Sequence, residues 1–356
     1  MILDGINWIF QRAAAEGKLA VINMSLGSDY GPHDGTTSEE RGINDLTGAG
    51  KIVVVAAGNA GAVYGGPGFD TFGAPIHGGG NFSTTNDIVL KTSGSYKPDT
   101  NNADYLFWDI WYEGSDQMRV QITAPNGQKY PPSLSGRNRN VWKTNGTSGG
   151  YDTLQGNIYV FNGSGTAGWD TTNGDNNIYI EISDDGGSEP AHGTWIIELI
   201  PESGSGIYNA WHGYSNSLKK TYFWYDSDST SHTWGDDNDI YLSDSVMTIG
   251  KPASAANVIS VGAYQTKNEW SAREYTDPAD PTSSFSLITQ AYGIAPIDYY
   301  TPFLLHDLAS FSSRGPGRDG SIQPFISAPG VGIVASLSQT VLDDPTNTYH
   351  RHLNRV

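Results

Sequence analysis

The first sixty residues alternate between amphipathic and short apolar stretches. Leu3, Ile6, Phe10 and Ala13 recur at helical spacing and the pattern stops at glycine, which predicts a helix over 2–17. Ala20-Val-Ile-Asn-Met24 then reads as a buried strand that ends in Ser25-Leu26-Gly27. A polar loop leads to Ser38, the expected N-cap of a short helix carrying Ile43 and Leu46 and stopped by Gly48 and Gly50. The run Lys51-Ile-Val-Val-Val-Ala-Ala-Gly-Asn59 is rich in β-branched residues, as expected for a strand buried on both faces of a parallel sheet. Helix, strand, helix, strand with short connections makes one right-handed crossover of a doubly wound α/β sheet. Ser25-Leu26-Gly27 and Ala57-Gly58-Asn59 are then expected side by side at the carboxyl ends of their strands, where open α/β sheets place ligands. Asn59 brings to that rim an amide with two donor hydrogens.

Beyond Asn59 the helical period disappears. Alternating or aromatic runs replace it at 87–91, 103–112, 118–123, 157–161, 177–182, 194–200 and 208–214, separated by Gly, Asn, Asp and Pro. This is the pattern of a β-sandwich or jelly roll. The expected organisation is an α/β core over 1–77, an all-β insert over 78–217 and a second core segment over 218–356. Trp108, Trp111, Trp142, Trp169, Trp195 and Trp211 suit either a carbohydrate platform or a sandwich core; large aromatics usually fill cores, and that is the expectation here.

Composition narrows the partners. Twenty Lys and Arg against 38 Asp and Glu leave a formal charge of −18, which argues against nucleic acid or an anionic membrane surface. No apolar run is long enough to span a bilayer. Without cysteine there is neither a disulfide framework nor a thiol nucleophile. Acidic loops at 170–177 and 226–239 supply oxygens that structural calcium would need, without EF-hand spacing, so solvated turns are expected there. His350 and His352 in the polar tail are too few to define a metal site. Nothing in the sequence fixes an oligomeric state.

Six segments, taken in order, resemble the subtilisin-like serine proteases, or subtilases. They are Val21-Ile-Asn-Met-Ser-Leu-Gly27 with Val53-Val-Val-Ala-Ala-Gly-Asn59, then Thr248-Ile-Gly-Lys-Pro-Ala253, Val258-Ile-Ser-Val-Gly-Ala263, Ala309-Ser-Phe-Ser-Ser-Arg-Gly315 and Ile326-Ser-Ala-Pro-Gly-Val-Gly-Ile-Val-Ala335. The likeness covers 1 to about 65 and about 245 to 336. It implies a serine endopeptidase acting on proteins or peptides, needing no cofactor for its chemistry, and secreted. It assigns Asn59 to the oxyanion hole, Ser25, Leu26 and Gly27 to pairing with substrate backbone, and Ala57, Gly58 and Gly250 to the pocket for the residue before the cleaved bond. Gly250 leaves that pocket room for a large side chain; Lys251 beside it offers some preference for acidic residues, with a solvated lysine the favoured alternative. The Lys251–Pro252 bond is the expected cis peptide.

The family's catalytic Asp, His and Ser do not appear at matching positions, so the chain is expected to be an internal slice that is inactive alone. His192-Gly-Thr194, Asn145-Gly-Thr-Ser148 and His77-Gly-Gly-Gly80 imitate catalytic motifs but stand in the wrong order or context, and are expected to be turns. Two other classes stay open at this level: a peptide-binding pseudoprotease, and a ligand-binding module in the β-rich insert.

Overall fold

The computed structural model describes residues 1–61, 76–85, 87–91, 97–98, 105–130, 147–153, 156–164, 172–184, 190–215, 217–219, 224–225, 243–266, 269–275, 285–291, 306–309, 311–331 and 333. Helix α1 (Ile2–Ala15), strand β1 (Ala20–Met24), helix α2 (Ser38–Leu46) and strand β2 (Lys51–Ala56) follow the predicted order. β1 and β2 run parallel, and a four-stranded sheet is completed by Ile259–Tyr264 and Ile326–Pro329, also parallel. Ile6 and Phe10 of α1 and Ile43 of α2 pack with Met24, Val53, Val55, Ile249 and Val258 in one apolar cluster. These strand residues share one face, because partners across a parallel ladder point the same way.

The other face differs from expectation. Val21, Ile52, Ile259 and Ile326 lie on it at 65, 39, 37 and 54% exposure, and both described helices pack on the opposite side. β2 is therefore half-buried, and its unbroken apolar run does not mean two covered faces. The N-cap of α2 also moves by one residue. Thr37, not Ser38, accepts from the Glu40 amide (3.4 Å), while the Glu40 carboxylate accepts from the Thr37 amide at 3.2 Å and its hydroxyl at 2.7 Å. Ser254 reaches the same buried carboxylate from the loop after Gly250.

The β-rich middle forms two antiparallel sheets. One has seven strands, in the order Ser243–Asp244, His77–Asn81, Ile207–Ser215, Tyr105–Tyr112, Asn176–Ser183, Gly156–Ser164 and Thr147–Thr153. The other has five: Trp224–Tyr225, Ile88–Lys91, Ile196–Ser203, Gln117–Thr123 and Lys129–Tyr130. Residues 77, 224–225 and 243–244 thus pair into these sheets from beyond 78–217. Leu106, Trp108, Ile110, Ile180 and Val160 of the first meet Val120, Ile197, Leu199 and Trp195 of the second in one buried cluster. Trp108 and Trp195 fill that core as expected; Trp142 and Trp169 lie outside the described residues.

Tyr105–Tyr112 is buried almost throughout because both of its faces are used. Leu106, Trp108 and Ile110 point into the sandwich, while Phe107, Asp109 and Trp111 point at the loop that follows β1. Tyr30 stacks on Phe107 at 4.2 Å, and His33 stacks on Trp211 at 4.1 Å with the rings 7° apart. The Gly31 amide donates to Asp109 at 2.7 Å, and Trp111 and Asn177 donate to its other oxygen. Burial raises the Asp109 pKa to about 6, against those three donors. Arg318 joins Asp34 (3.1 Å) to Asp175, and Asn173 donates to Asp34 at 2.8 Å. The 170–177 loop is therefore docked through its described residues rather than merely solvated. The 226–239 loop and the His350/His352 tail lie outside the described residues.

Replacing Thr37 by Ala removes the cap and takes the hydroxyl donor from the buried Glu40 carboxylate, leaving the backbone amide of residue 37 as a donor. The expected loss is about 1–2 kcal/mol of stability, read as a lower urea midpoint for the unfolding of α2 and the parallel sheet. An unchanged midpoint would contradict the capping role.

Candidate active-site rim

Parallel pairing carries the ends of β1 and β2 to one edge of the sheet, with Met24 beside Val55. Ser25, Leu26 and Gly27 leave β1 exposed, with Leu26 at 45%, and Ala57, Gly58 and Asn59 leave β2 next to them. Ser28 then forms an antiparallel bridge to Lys251, its amide donating to the Lys251 carbonyl at 2.9 Å. The structure thus gathers the two strand-end segments and the Gly250 segment at one rim. The Lys251–Pro252 bond is cis.

Asn59 is exposed, and its side chain takes no hydrogen bond among the described residues. Its direction is set by its neighbours. Gly58 has φ +111°, a conformation that side chains rarely adopt, and a Cβ there would lie 2.7 Å from Ser313 Oγ. Buried Ser313 closes the turn from behind: its amide donates to the Gly58 carbonyl at 3.0 Å, and its Oγ accepts from the Ala60 amide at 3.0 Å. The Gly61 amide donates to the Phe311 carbonyl at 2.9 Å, and that of Ala57 to Val261 at 2.9 Å. Next to Ser313, Arg314 exchanges backbone with Thr248, two residues before Gly250: Thr248 N donates to Arg314 O at 2.8 Å, and Arg314 N to Thr248 Oγ1 at 2.9 Å. One short segment therefore ties the Asn59 turn to the Gly250 wall. From sequence, Ser312 and Ser313 marked the family but had no assigned task; the adjacent pair in Phe311-Ser-Ser-Arg-Gly315 is the signal that was available, and its burial shows only in the structure.

Gly250 does not leave an open floor. A Cβ there would run into the Ser28 carbonyl and stand 3.2 Å from Asp29 Oδ1, so close backbone approach requires the glycine. The Lys251 ammonium lies 3.8 Å from the Glu39 carboxylate, so an acidic neighbour already partners the charge expected to favour acidic substrates. His33 holds the loop between, with Nδ1 2.8 Å from the Ile249 carbonyl and Nε2 2.9 Å from that of Asp29. Burial pushes the pKa of this imidazole down to about 4, against the pull of the two carbonyls.

The three imitation motifs supply no catalytic group. His192 and Gly193 lie in a turn before the Ile196–Ser203 strand. Ser148 lies in the strand Thr147–Thr153 and His77 opens the strand His77–Asn81, so those two are ladder residues rather than turns. His77 does carry a carboxylate partner, Asp244 at 2.7 Å, but its other nitrogen is 3.1 Å from Asn209 Oδ1, and among the described residues no nucleophile completes a triad. Among the described residues no three His, Cys, Asp or Glu gather as a metal site, and no helix is long and apolar enough to cross a membrane.

The fold has a counterpart among solved structures. The Clostridium perfringens CspB protease superposes with a TM-score of 0.61 at 19% identity, over 95% of this chain and 53% of that one. The chain thus spans about half the length of that protein. The sequence itself matches the subtilase family over residues 1–157 and 124–354. The chain belongs to the subtilase family, the family of serine peptidases to which its strand-end segments point.

Proposed function

We propose that this chain carries the substrate-binding and oxyanion half of a subtilisin-like serine endopeptidase that hydrolyses peptide bonds in proteins, outside the cell. The carrying observation is the Asn59 amide, exposed at a strand end on a turn whose backbone is fixed by Ser313. An attacking serine, with a histidine base and an orienting aspartate, comes from beyond these segments. As the scissile carbonyl becomes tetrahedral its oxygen gains negative charge, and the Asn59 Nδ2 hydrogens stabilise it more than they stabilise the planar carbonyl. Because the turn is held beforehand, little reorganisation is needed when that charge appears. Ser25, Leu26 and Gly27 offer a free strand end for the substrate backbone, a β-augmentation contact. Ala57, Gly58 and Gly250 bound the pocket for the residue before the cleaved bond. No step calls for a cofactor. The two antiparallel sheets form a jelly-roll-like insert that runs over about 78–217 with edge strands from 77, 224–225 and 243–244. Calcium, if bound, has a structural role.

Two measurements test this reading. The chain alone should cleave no casein or peptide and take no fluorophosphonate label; labelling at any of its serines would place the nucleophile within it. In an active protease containing the chain, Asn59→Ala should lower kcat about a hundred- to a thousand-fold with KM nearly unchanged, the size known from subtilisin itself for such a donor. An unchanged kcat would remove Asn59 from the oxyanion hole.

A further inference from the structure

We propose that His33 is a positioning residue that works as an imidazolium: with a proton on each ring nitrogen it ties the loop after β1 to the segment that carries Gly250. The charge on the ring stands on geometry; its consequence for substrate rests on the protease reading above.

Three observations converge. First, both ring nitrogens meet carbonyl oxygens, Nδ1 that of Ile249 at 2.8 Å and Nε2 that of Asp29 at 2.9 Å. A carbonyl can only accept, and a neutral imidazole has one N–H and one lone pair. The neutral ring would satisfy one carbonyl and turn its lone pair on the other, within a buried site. The imidazolium donates to both, and both distances suit charge-assisted bonds. Second, the ring lies flat on Trp211, with centroids 4.1 Å and planes 7° apart, and the indole N–H donates to the Met247 carbonyl at 2.9 Å. A cation over an indole face is attracted by the ring electrons, and a neutral imidazole gains less. Third, His33 holds φ +54°, a conformation that residues with a side chain rarely adopt. Such strain persists where the surroundings over-determine it. Here the two carbonyls and the indole fix the ring, while the Arg318 amide donates to the His33 carbonyl at 2.9 Å.

Burial opposes the charge, pulling the pKa towards about 4. The neutral ring is equally buried, though, and sets a lone pair against a carbonyl, so it removes one cost by creating another. The charged groups on the elements packed against His33 tilt the balance. Asp29 and Asp34 lie on its own loop, Lys251 follows Gly250, His77 with its partner Asp244 comes from the sheets, and Arg318 and Asp319 belong to the segment that holds its backbone. Asp34 favours the imidazolium and His77 opposes it. Arg318 is paired with Asp34 and Asp175, and Lys251 lies against Glu39, so both fixed cations are compensated. Asp29 titrates at about 6, so above that pH the loop bearing the ring gains a negative charge. Losing the second proton would release one carbonyl. The loop that continues from Ser25, Leu26 and Gly27 would then part from the Gly250 wall, and substrate would bind less well.

The test reads the ring directly. The full chain, isotope-labelled at the histidine nitrogens, is held at about pH 8, where an ordinary histidine of pKa about 6.5 is neutral. Nuclear magnetic resonance should show two ring N–H signals for His33, assigned through its own backbone. A single N–H beside a lone-pair nitrogen would overturn the inference. Stability gives a second readout. A folded pKa raised above about 6.5 makes a contribution that is complete below that pH and is lost as pH rises through the folded value. The excess urea midpoint of the wild type over His33→Gln should therefore shrink as the solution turns alkaline. A neutral His33 predicts the opposite, an excess that shrinks as pH falls below about 6.5. In the active protease, His33→Gln should raise KM roughly tenfold near neutral pH with kcat nearly unchanged, and should abolish an alkaline rise in KM seen in the wild type. A KM that is the same in both forms at every pH would remove the positioning role. If no peptide is cleaved, the protease reading fails, and the ring signals still decide His33.

Discussion

The rim depends on a clasp of buried backbone and two serines. Residues 311–314 bond to Gly61, Gly58, Ala60 and Thr248, and Ser312 Oγ accepts from the Ala263 amide at 3.0 Å on the adjacent strand. The Gly58 carbonyl and the Ala60 and Gly61 amides sit beyond the end of the parallel ladder, so no strand partner is available for them. A buried backbone group left unpaired costs about 1–3 kcal/mol, which makes such a segment a requirement of the fold as well as of the site. The positive φ of Gly58 is tolerable because glycine has no Cβ, and Ser313 holds the turn at two points, its amide on the Gly58 carbonyl and its hydroxyl on the Ala60 amide. The exposure of Asn59 follows from that turn.

The second constraint lies between the two bodies. The loop after β1 bonds on one side to Ile249, Lys251 and Arg318 of the core, and on the other to Asp109, Trp211 and Asn173 of the β-sheets. It combines stacked rings with buried charged groups whose donors come from both sides. A buried carboxylate such as Asp109 is a weak source of net stability, yet it fixes geometry, since only one placement of Gly31, Trp111 and Asn177 satisfies it. Ser25, Leu26 and Gly27 directly precede this anchored stretch, which begins at Ser28. That strand end and the sheets therefore share a boundary.

Much of this was legible in the residues, and the rest was not for identifiable reasons. β1 and β2 appeared within a residue or two of their true bounds because β-branched runs ended by glycine have few other uses. The aromatic strand over 105–112 was recognisable, but why it had no polar face was not, since that depends on a loop seventy residues away. Edge strands such as Ser243–Asp244, two residues long, leave no period to read. Thr37 and Ser38 are chemically near-equal caps, and only the reach of Glu40 decides between them. At the rim, Asn59 and the glycines could be placed by resemblance. The partner of Lys251, Glu39, is distant in sequence and could not be read from it.

The most direct measurement of the central claim, that a buried hydroxyl holds the oxyanion turn, is a double-mutant cycle in the active protease using Ser313→Ala and Asn59→Ala, with Ser312→Ala as the control. Ser312 is equally buried but bonds a strand amide away from the turn. The account predicts that Ser313→Ala lowers kcat with little change in KM, that it adds almost nothing once Asn59 is already Ala, and that Ser312→Ala costs stability without a comparable loss of kcat. Additive losses for Ser313 and Asn59, or equal effects of the two serines on kcat, would contradict it.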